Sequence, residues 1–350
     1  MCQADSLPYP LAGASRYAAA SVRLPKPATT GYTFARALQQ IIAEQSIDLI
    51  IPTCEEVFYV ATYKNVLAAE VFAPDPDVLR RMHSKWAFNA LLRELDLPAP
   101  KSLLLESPLQ NGPDLFFPAV LKPEFTRFGT AVELFQNEAE WRRKTDISPG
   151  RYVWQQYLAG EHWGTYSVAR NGHLQAHSAY RLQWRYGAQG AATFFEAADC
   201  AEIEAQVAAI AAATQYTGQI AFDFIRRDKD GLFYAIECNP RATSGVHLFS
   251  REDDLPRAFL QHNAAIIRPS GPPRKLAVPM LLAAGRQMFQ ACFWQDWRRS
   301  RDAVWSWQDP LPAFQQARLM AYWSYMAFRK GITLPEATTA DIAWNGEAIG

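Results

Sequence analysis

Cysteine is scarce in this chain of 350 residues. The five thiols, Cys2, Cys54, Cys200, Cys238 and Cys292, lie far apart, and none forms a Cys-x-x-Cys pair. An odd, dispersed set excludes a disulfide framework or a thiolate zinc site and leaves reduced thiols as the expectation. An excess of either charge is also lacking: 35 Lys and Arg balance 35 Asp and Glu. No global field therefore favours nucleic acid or an anionic membrane as partner. The six histidines are dispersed, and His173 and His177 read as exposed strand or turn residues without a ligand role. No apolar run approaches the roughly 18 residues of a membrane span. Met1-Cys2-Gln3-Ala4-Asp5 has neither the basic nor the apolar part of a secretory signal, so a cytoplasmic location is expected.

What is present is apolar residue, at 49%, in a chain long enough for two or three packed subdomains. Residues 34 to 46 have helical spacing, and Ile47 to Pro52 reads as a short buried strand, together one α/β unit. Thr53 then begins a capping-box pattern with Glu56 three positions on. A helix follows Ser84, from Lys85 to Leu95, and stops at Leu97-Pro98-Ala99-Pro100. Phe117 to Pro123 is a compact apolar strand carrying one lysine, Lys122. A buried ammonium is expensive unless an anion compensates it, and phosphate would do so.

Ala221 to Arg227 and Ala235 to Arg241 flank the turn Asp228-Lys229-Asp230-Gly231 and read as a hairpin. On it Asp223 and Glu237 come close, and Asn239 shares the face of Glu237 because side chains repeat every second residue. Two carboxylates and an amide oxygen are hard ligands that suit Mg²⁺. Cys238 faces away from them as a packing residue, and Arg241 returns to the same face if the strand continues past Pro240.

Between these elements lie the strand Arg151 to Gln156, Gly160-Glu161, and a hairpin turning at Asn171-Gly172. Ala201 to Tyr216 is an alanine-rich helix. The last hundred residues are largely helical and carry Trp294, Trp297, Trp305, Trp307, Trp323 and Trp344, which read as core or a subunit interface rather than a membrane belt.

This order of motifs resembles the ATP-grasp superfamily, in its carboxylate-amine or carboxylate-thiol ligase form. The resemblance implies an α/β (α+β) ATP-grasp fold, with a shortened pre-ATP-grasp domain at 1–74, the ATP-grasp domain at 75–265 and a helical extension at 266–350. The usual strand, glycine turn and helix that open the first domain are not visible before Pro8. An edge strand left without that unit would need dimerisation, as a homodimer, or the extension to cover it.

By the same resemblance Lys85 and Lys122 bind ATP phosphates, and Gly129 lies in a phosphate-covering loop with Thr126, Arg127 and Thr130. Backbone groups of Gln156, Tyr157 and Leu158 meet adenine, although Gln155 and Gln156 read equally well as a polar strand edge. Glu161 accepts from the ribose. Asp223, Glu237 and Asn239 hold Mg²⁺, or Mn²⁺ in its place. Arg241 steadies an acyl phosphate, whereas Arg181 and Arg185 read as readily as solvated loop residues. The implied reaction joins a small-molecule carboxylate to an amine with release of ADP and phosphate. An ATP-grasp kinase and a non-catalytic nucleotide-binding module remain as alternatives.

Overall fold

Short parallel pairs begin the chain. The computed structural model describes residues 1–106, 115–125, 132–144, 147–185, 192–262, 265–347 and 349, with backbone only for Arg185, Ala283 and Pro335. β1 (Cys2–Asp5) lies parallel to β2 (Ala20–Arg23), so a strand does precede Pro8. Four half-polar residues are too few for a period of two to reveal it. One 3-10 turn at Ala12–Ala14 joins the pair, and a Cβ on Gly13 would fall 2.4 Å from Ser21 Oγ.

α1 (Gly31–Gln45) follows, burying Phe34, Leu38, Ile41 and Ile42 at helical spacing. β3 (Leu49–Ile50) and β4 (Glu70–Val71) are again parallel, joined through α2 (Glu56–Thr62). The Glu56 carboxylate accepts from the Thr53 backbone N–H at 2.7 Å, which is the return half of a capping box. Leu38, Phe58, Val60 and Leu79 share the core of this region. α3 (Pro76–His83) and α4 (Lys85–Glu94) meet at Ser84, whose Oγ accepts from the Ala87 N–H at 3.0 Å. That cap starts a new helix axis and aims Lys85 inward.

Two sheets then face each other. β5 (Ser102–Glu106), β6 (Ala119–Pro123), β7 (Glu133–Phe135) and β8 (Arg151–Gln156) form the smaller, in the order β5-β8-β6-β7. Leu105, Ala119, Leu121 and Trp154 line its outer face against Trp141 of α5 (Glu138–Arg142). By the alternation of a strand, Val120, Lys122 and Gln155 occupy the other face.

The larger sheet contains β9 (Gly160–Arg170), β10 (His173–Arg185), β11 (Ala192–Ala197), β12 (Gly218–Arg227), β13 (Phe233–Asn239), β14 (Arg274–Lys275) and β15 (Arg301–Asp302). Their order is β13-β12-β9-β10-β11-β14-β15. The β9–β10 turn has Asn171 at φ 49 and Gly172 at φ 79, the positive pair that a two-residue hairpin requires. α6 (Ala201–Ala213) packs Ile203, Val207 and Ile210 on one face, over Trp163, Ile220, Phe222 and Phe224. On the other face Tyr166 and Val168 meet Phe72, Phe249 and Phe259, the last from α7 (Arg257–Leu260).

α8 (Ala277–Ala284), α9 (Ala291–Arg299), α10 (Leu311–Lys330) and α11 (Leu334–Ala337) complete the chain. The tail returns to the first region: Trp344 stacks on Phe58 at 4.5 Å, and Tyr59 Oη donates to the Ala343 carbonyl at 2.6 Å. Among the described residues no helix is long and apolar enough to cross a membrane.

Candidate active site

The β12–β13 hairpin brings the carboxylates together. Asp223 pairs directly with Glu237, and Ala221 with Asn239, so Asp223, Glu237 and Asn239 share one face. The ladder then skips, because Phe224 pairs with Ala235 and Ile236 becomes the extra residue of a bulge. The bulge lets Ile236 join Ile225, Tyr234 and Leu158 in an apolar cluster beside the carboxylates. Cys238, two per cent exposed, points into the core under α6.

Asn239 links the group to Arg241. Its Nδ2 donates to Asp223 Oδ2 at 3.4 Å, and its Oδ1 accepts from Arg241 at 3.0 Å. A half-turn of that amide about Cβ–Cγ would break both bonds and turn Oδ1 towards Asp223, the orientation a shared cation would need. Arg241 also donates to the Ala242 carbonyl and pairs through Nε with Glu55 at 3.4 Å. Glu55 is 1% exposed and comes from the turn before α2.

Two buried lysines face these groups. Lys85, the first residue of α4, lies 3.8 Å from Glu237. A cation there opposes the helix dipole, so the carboxylate offsets an otherwise unfavourable placement. Lys122 donates to Gln155 Oε1 at 2.8 Å. Burial pushes its ammonium down from 10.5 to about 8, Lys85 lowers it further, and Glu237 and Asp223 oppose the fall. Glu124 sets the spacing of the lysines: its carboxylate accepts from Ser84 and pairs with Arg151 at 3.0 Å, while its carbonyl accepts from the Lys85 N–H.

The segment Gln156 to Leu158 at the end of β8 is tied down by its first two amides. The Gln156 N–H donates to the Lys101 carbonyl at 2.8 Å, and the Tyr157 N–H to the Pro118 carbonyl at 3.1 Å. Those two amides are therefore occupied, whereas Leu158 is buried against Ile225. Glu161 departs from expectation. In the β9–β12 register Asp223 lies opposite Gly164, and Glu161 opposite Arg226, three residues along and so on the other face. Its carboxylate accepts from Trp163 Nε1 at 3.0 Å and pairs with Arg181 at 3.1 Å. His162, opposite Ile225, has the parity of the carboxylate face instead.

Arg181 is thus held by Glu161 and stacks over Trp163 at 5.1 Å, away from Arg241. Gly129, with Thr126, Arg127 and Thr130, lies outside the described residues, and so does the side chain of Arg185. His177 is not exposed: it is 4% exposed, its Nδ1 lies 2.9 Å from Ser167 Oγ, and burial pushes it down to about 4. Its alternation with polar neighbours hid the burial, because both faces of this central strand are covered. His173 is exposed.

Tyr180 belongs on the carboxylate face and carried no sequence signal. It pairs with Gly164, which itself faces Asp223. A Cβ on Gly164 would meet the Tyr180 ring at 2.8 Å, and one on Gly245 would meet it at 2.6 Å, so both glycines make room for it. Glu55 and Glu124 also stand beside this site, and a carboxylate at the end of an apolar segment is the trace they leave in the sequence.

Among the described residues, no three His, Cys, Asp or Glu side chains gather as a metal site. Asp223, Glu237 and the Asn239 amide nevertheless form a set of hard oxygen donors on one face, which fits Mg²⁺. A cavity of about 760 Å³ adjoins this region, lined by Asp5, Thr53, Cys54, Glu56 and Asp341 among others. Its Thr53-Cys54 wall runs directly into Glu55. Burial pushes Asp5 up to about 6, with Glu56 and Asp341 adding to the rise.

No known family profile matches the chain. Over 109 residues it is 26% identical to the carbamoyl phosphate synthase large chain, C-terminal section, of Methanopyrus kandleri; the match covers 30% of this chain and 18% of that protein. Its structure is similar to N5-carboxyaminoimidazole synthetase from Staphylococcus aureus complexed with ADP, with TM-score 0.59 and 17% identity over 77% of this chain and 73% of that one. It is also similar to the L-amino acid ligase from Bacillus licheniformis, with TM-score 0.51 and 17% identity over 65% and 57% of the two chains. The chain thus spans less than a fifth of that curated relative and a little over half of that ligase. Identities this low show a common fold.

Proposed function

We propose, from the premise that this chain has the ATP-grasp fold, that it is an ATP-dependent ligase joining a carboxylate to an amine. The observation that carries the reading is the convergence of Lys85, Lys122, Asp223, Glu237, Asn239 and Arg241 between two facing sheets. The ADP named with the Staphylococcus aureus structure supports a nucleotide in that space.

The apolar group Leu158, Ile225, Tyr234 and Ile236 would floor the adenine, and the Gln156 carbonyl and Leu158 amide would meet its edge. Tyr157 would contribute shape, since its amide is occupied. His162 is placed to reach the ribose. Lys85 and Lys122 would neutralise phosphate oxygens as the γ-phosphoryl group moves, which is the main task in phosphoryl transfer. Asp223, Glu237 and Asn239 would hold Mg²⁺, or Mn²⁺, whose charge adds to that neutralisation.

The carboxylate oxygen of the first substrate would attack the γ-phosphorus, giving an acyl phosphate and ADP. Arg241, oriented by Glu55 and Asn239, would hold this intermediate. The amine then attacks the carbonyl carbon and phosphate leaves. The largely apolar cavity beside Thr53 and Cys54, with Asp5, Asp48, Glu56 and Asp341 in its wall, would suit an amine that carries an apolar body. On this reading residues 1–74 serve the acceptor, 75–265 the nucleotide and 266–350 form a Trp-rich extension, in a cytoplasmic enzyme without nucleic-acid or membrane partners.

Hydroxylamine trapping tests the chemistry. With the right carboxylate and MgATP, a hydroxamate should form with equal ADP and phosphate. ADP formed with a stable phosphoester and no hydroxamate identifies a kinase, and absence of ADP across a broad panel of acids and amines leaves a binding module.

A further inference from the structure

α10, twenty residues long, buries only Leu319 in the body of the protein. Its outer side is apolar: Leu311 is 57% exposed, Phe314 65%, Tyr325 57% and Phe328 89%. These are not scattered. Leu311, Arg318 and Tyr325 recur every seven residues, as do Phe314, Ala321 and Phe328 three positions later, and all six are exposed. That is the a/d spacing of a coiled-coil seam, exposed along the helix although Arg318 stacks over Tyr9 and Phe314 lies 5.9 Å from Trp305.

The seam is complementary to itself in one orientation. Laid antiparallel against its own copy, about a two-fold axis between Leu319 and Met320, α10 sets Leu311 against Phe328, Phe314 against Tyr325 and Arg318 against Ala321. Each bulky residue in the outer layers meets another, and at the crossing a long stem meets a small side chain. Arg318 has its guanidinium 5.2 Å above the Tyr9 ring, out of the crossing.

The same register carries charge. From Pro310 to Pro335 there is no acidic residue, yet Arg329 and Lys330 close the helix. Their antiparallel counterparts are Pro310 and Asp309, so Lys330 of one chain comes beside Asp309 of the other at both ends, where that carboxylate also accepts from Ser15 Oγ and the Arg16 N–H of its own chain. Trp307, 87% exposed and 5.3 Å from Trp305, extends the apolar surface beyond Phe314. Four aromatic residues at roughly 150–250 Å² each, scaled by their 57–89% exposure, offer about 450–750 Å² towards the ~800 Å² per partner of a specific interface.

We propose that α10 is the dimer interface of this protein, occupied by α10 of a second copy in antiparallel, two-fold register. The interface is isologous, as closed dimers require. It is independent of the nucleotide chemistry and lies on the Trp-rich extension rather than on the facing sheets.

Sedimentation velocity of the full chain across low to high micromolar concentration provides the test. The expected result is a dimer whose dissociation constant rises on the order of a hundredfold in Phe328→Glu, as for other buried aromatic anchors. Far-UV circular dichroism should be unchanged, because the side chain is exposed. Tyr325→Lys should also dissociate the dimer, and adding Phe314→Glu should restore it, since the register sets residue 325 against residue 314 of the other chain. A wild-type monomer at every concentration overturns the proposal. So does a dimer indifferent to Phe328→Glu and Tyr325→Lys, a double variant that fails to recover, or a monomer that co-sediments with phosphatidylserine vesicles through this helix.

Discussion

Replacing Lys122 by methionine should stabilise the ligand-free protein while removing its response to nucleotide. The ammonium is buried and its affinity for a proton falls from 10.5 to about 8, chiefly through lost hydration. That fall is worth about 3 kcal/mol, at 1.36 kcal/mol per tenfold change, against the folded state. Methionine keeps the apolar stem and drops the charge. Leaving Gln155 without its 2.8 Å partner returns about 1 kcal/mol of the gain. The net of about 2 kcal/mol corresponds to a rise of roughly 3 °C in Tm for a chain of this length.

The sign reverses with pH in a defined window. Because the folded value lies below 10.5, the unfolded chain holds more protons between about pH 8 and 10.5, and wild-type stability rises across that interval. The variant has no such term. Its advantage should be constant below pH 8, shrink above it, vanish near about pH 9.5 and become a deficit of about 1 kcal/mol by pH 10.5, when only the lost Gln155 bond remains. Scanning calorimetry with and without MgATP measures all three effects. A large loss of Tm in Lys122→Met, or a variant that MgATP still stabilises as it does the wild type, refutes the argument that this lysine is held buried for a phosphate.

Glu237→Gln and Asn239→Ala should remain folded and lose Mg²⁺-dependent ADP release by on the order of a hundredfold or more; wild-type turnover in either removes the metal assignment. Glu55→Gln leaves Arg241 without its ionic partner, and urea denaturation should show a loss of about 3 kcal/mol together with reduced turnover. Glu161→Gln should change nucleotide affinity by less than about twofold, because its exposed pair with Arg181 lies on the opposite face. His162→Ala should weaken binding by about fivefold through one lost hydrogen bond, and calorimetry separates the two.

Much of this was legible in the chain. The Ser84 cap, the Asn171-Gly172 turn and the β12–β13 hairpin follow from local residue chemistry and appear where that chemistry places them. Glu237 and Asn239 share a face because a period of two is a property of any strand, whereas Asp223 joins them through the β12–β13 register and its bulge at Ile236. Glu161 shows the limit of that kind of reading. Gly-Glu after a strand suggests a ribose contact, but the parity of a residue relative to Asp223 depends on a register between strands more than fifty residues apart. A shift of one position would have exchanged Glu161 and His162.

Glu55 and Arg241 are 186 positions apart in number, and nothing local to either marks the other. Their pairing exists because the turn before α2 packs against the end of β13, a contact that long-range burial decides. His177 illustrates the same point for burial: its neighbours alternate as on an exposed strand, but β10 is covered on both faces. The sequence by itself determined the elements, which residues of one strand share a face and the acidic and basic residues available to them, because spacing along one chain sets those. Only the tertiary structure decided which face met which, how far Lys122 was removed from water, and which exposed stripe of α10 was left for another molecule.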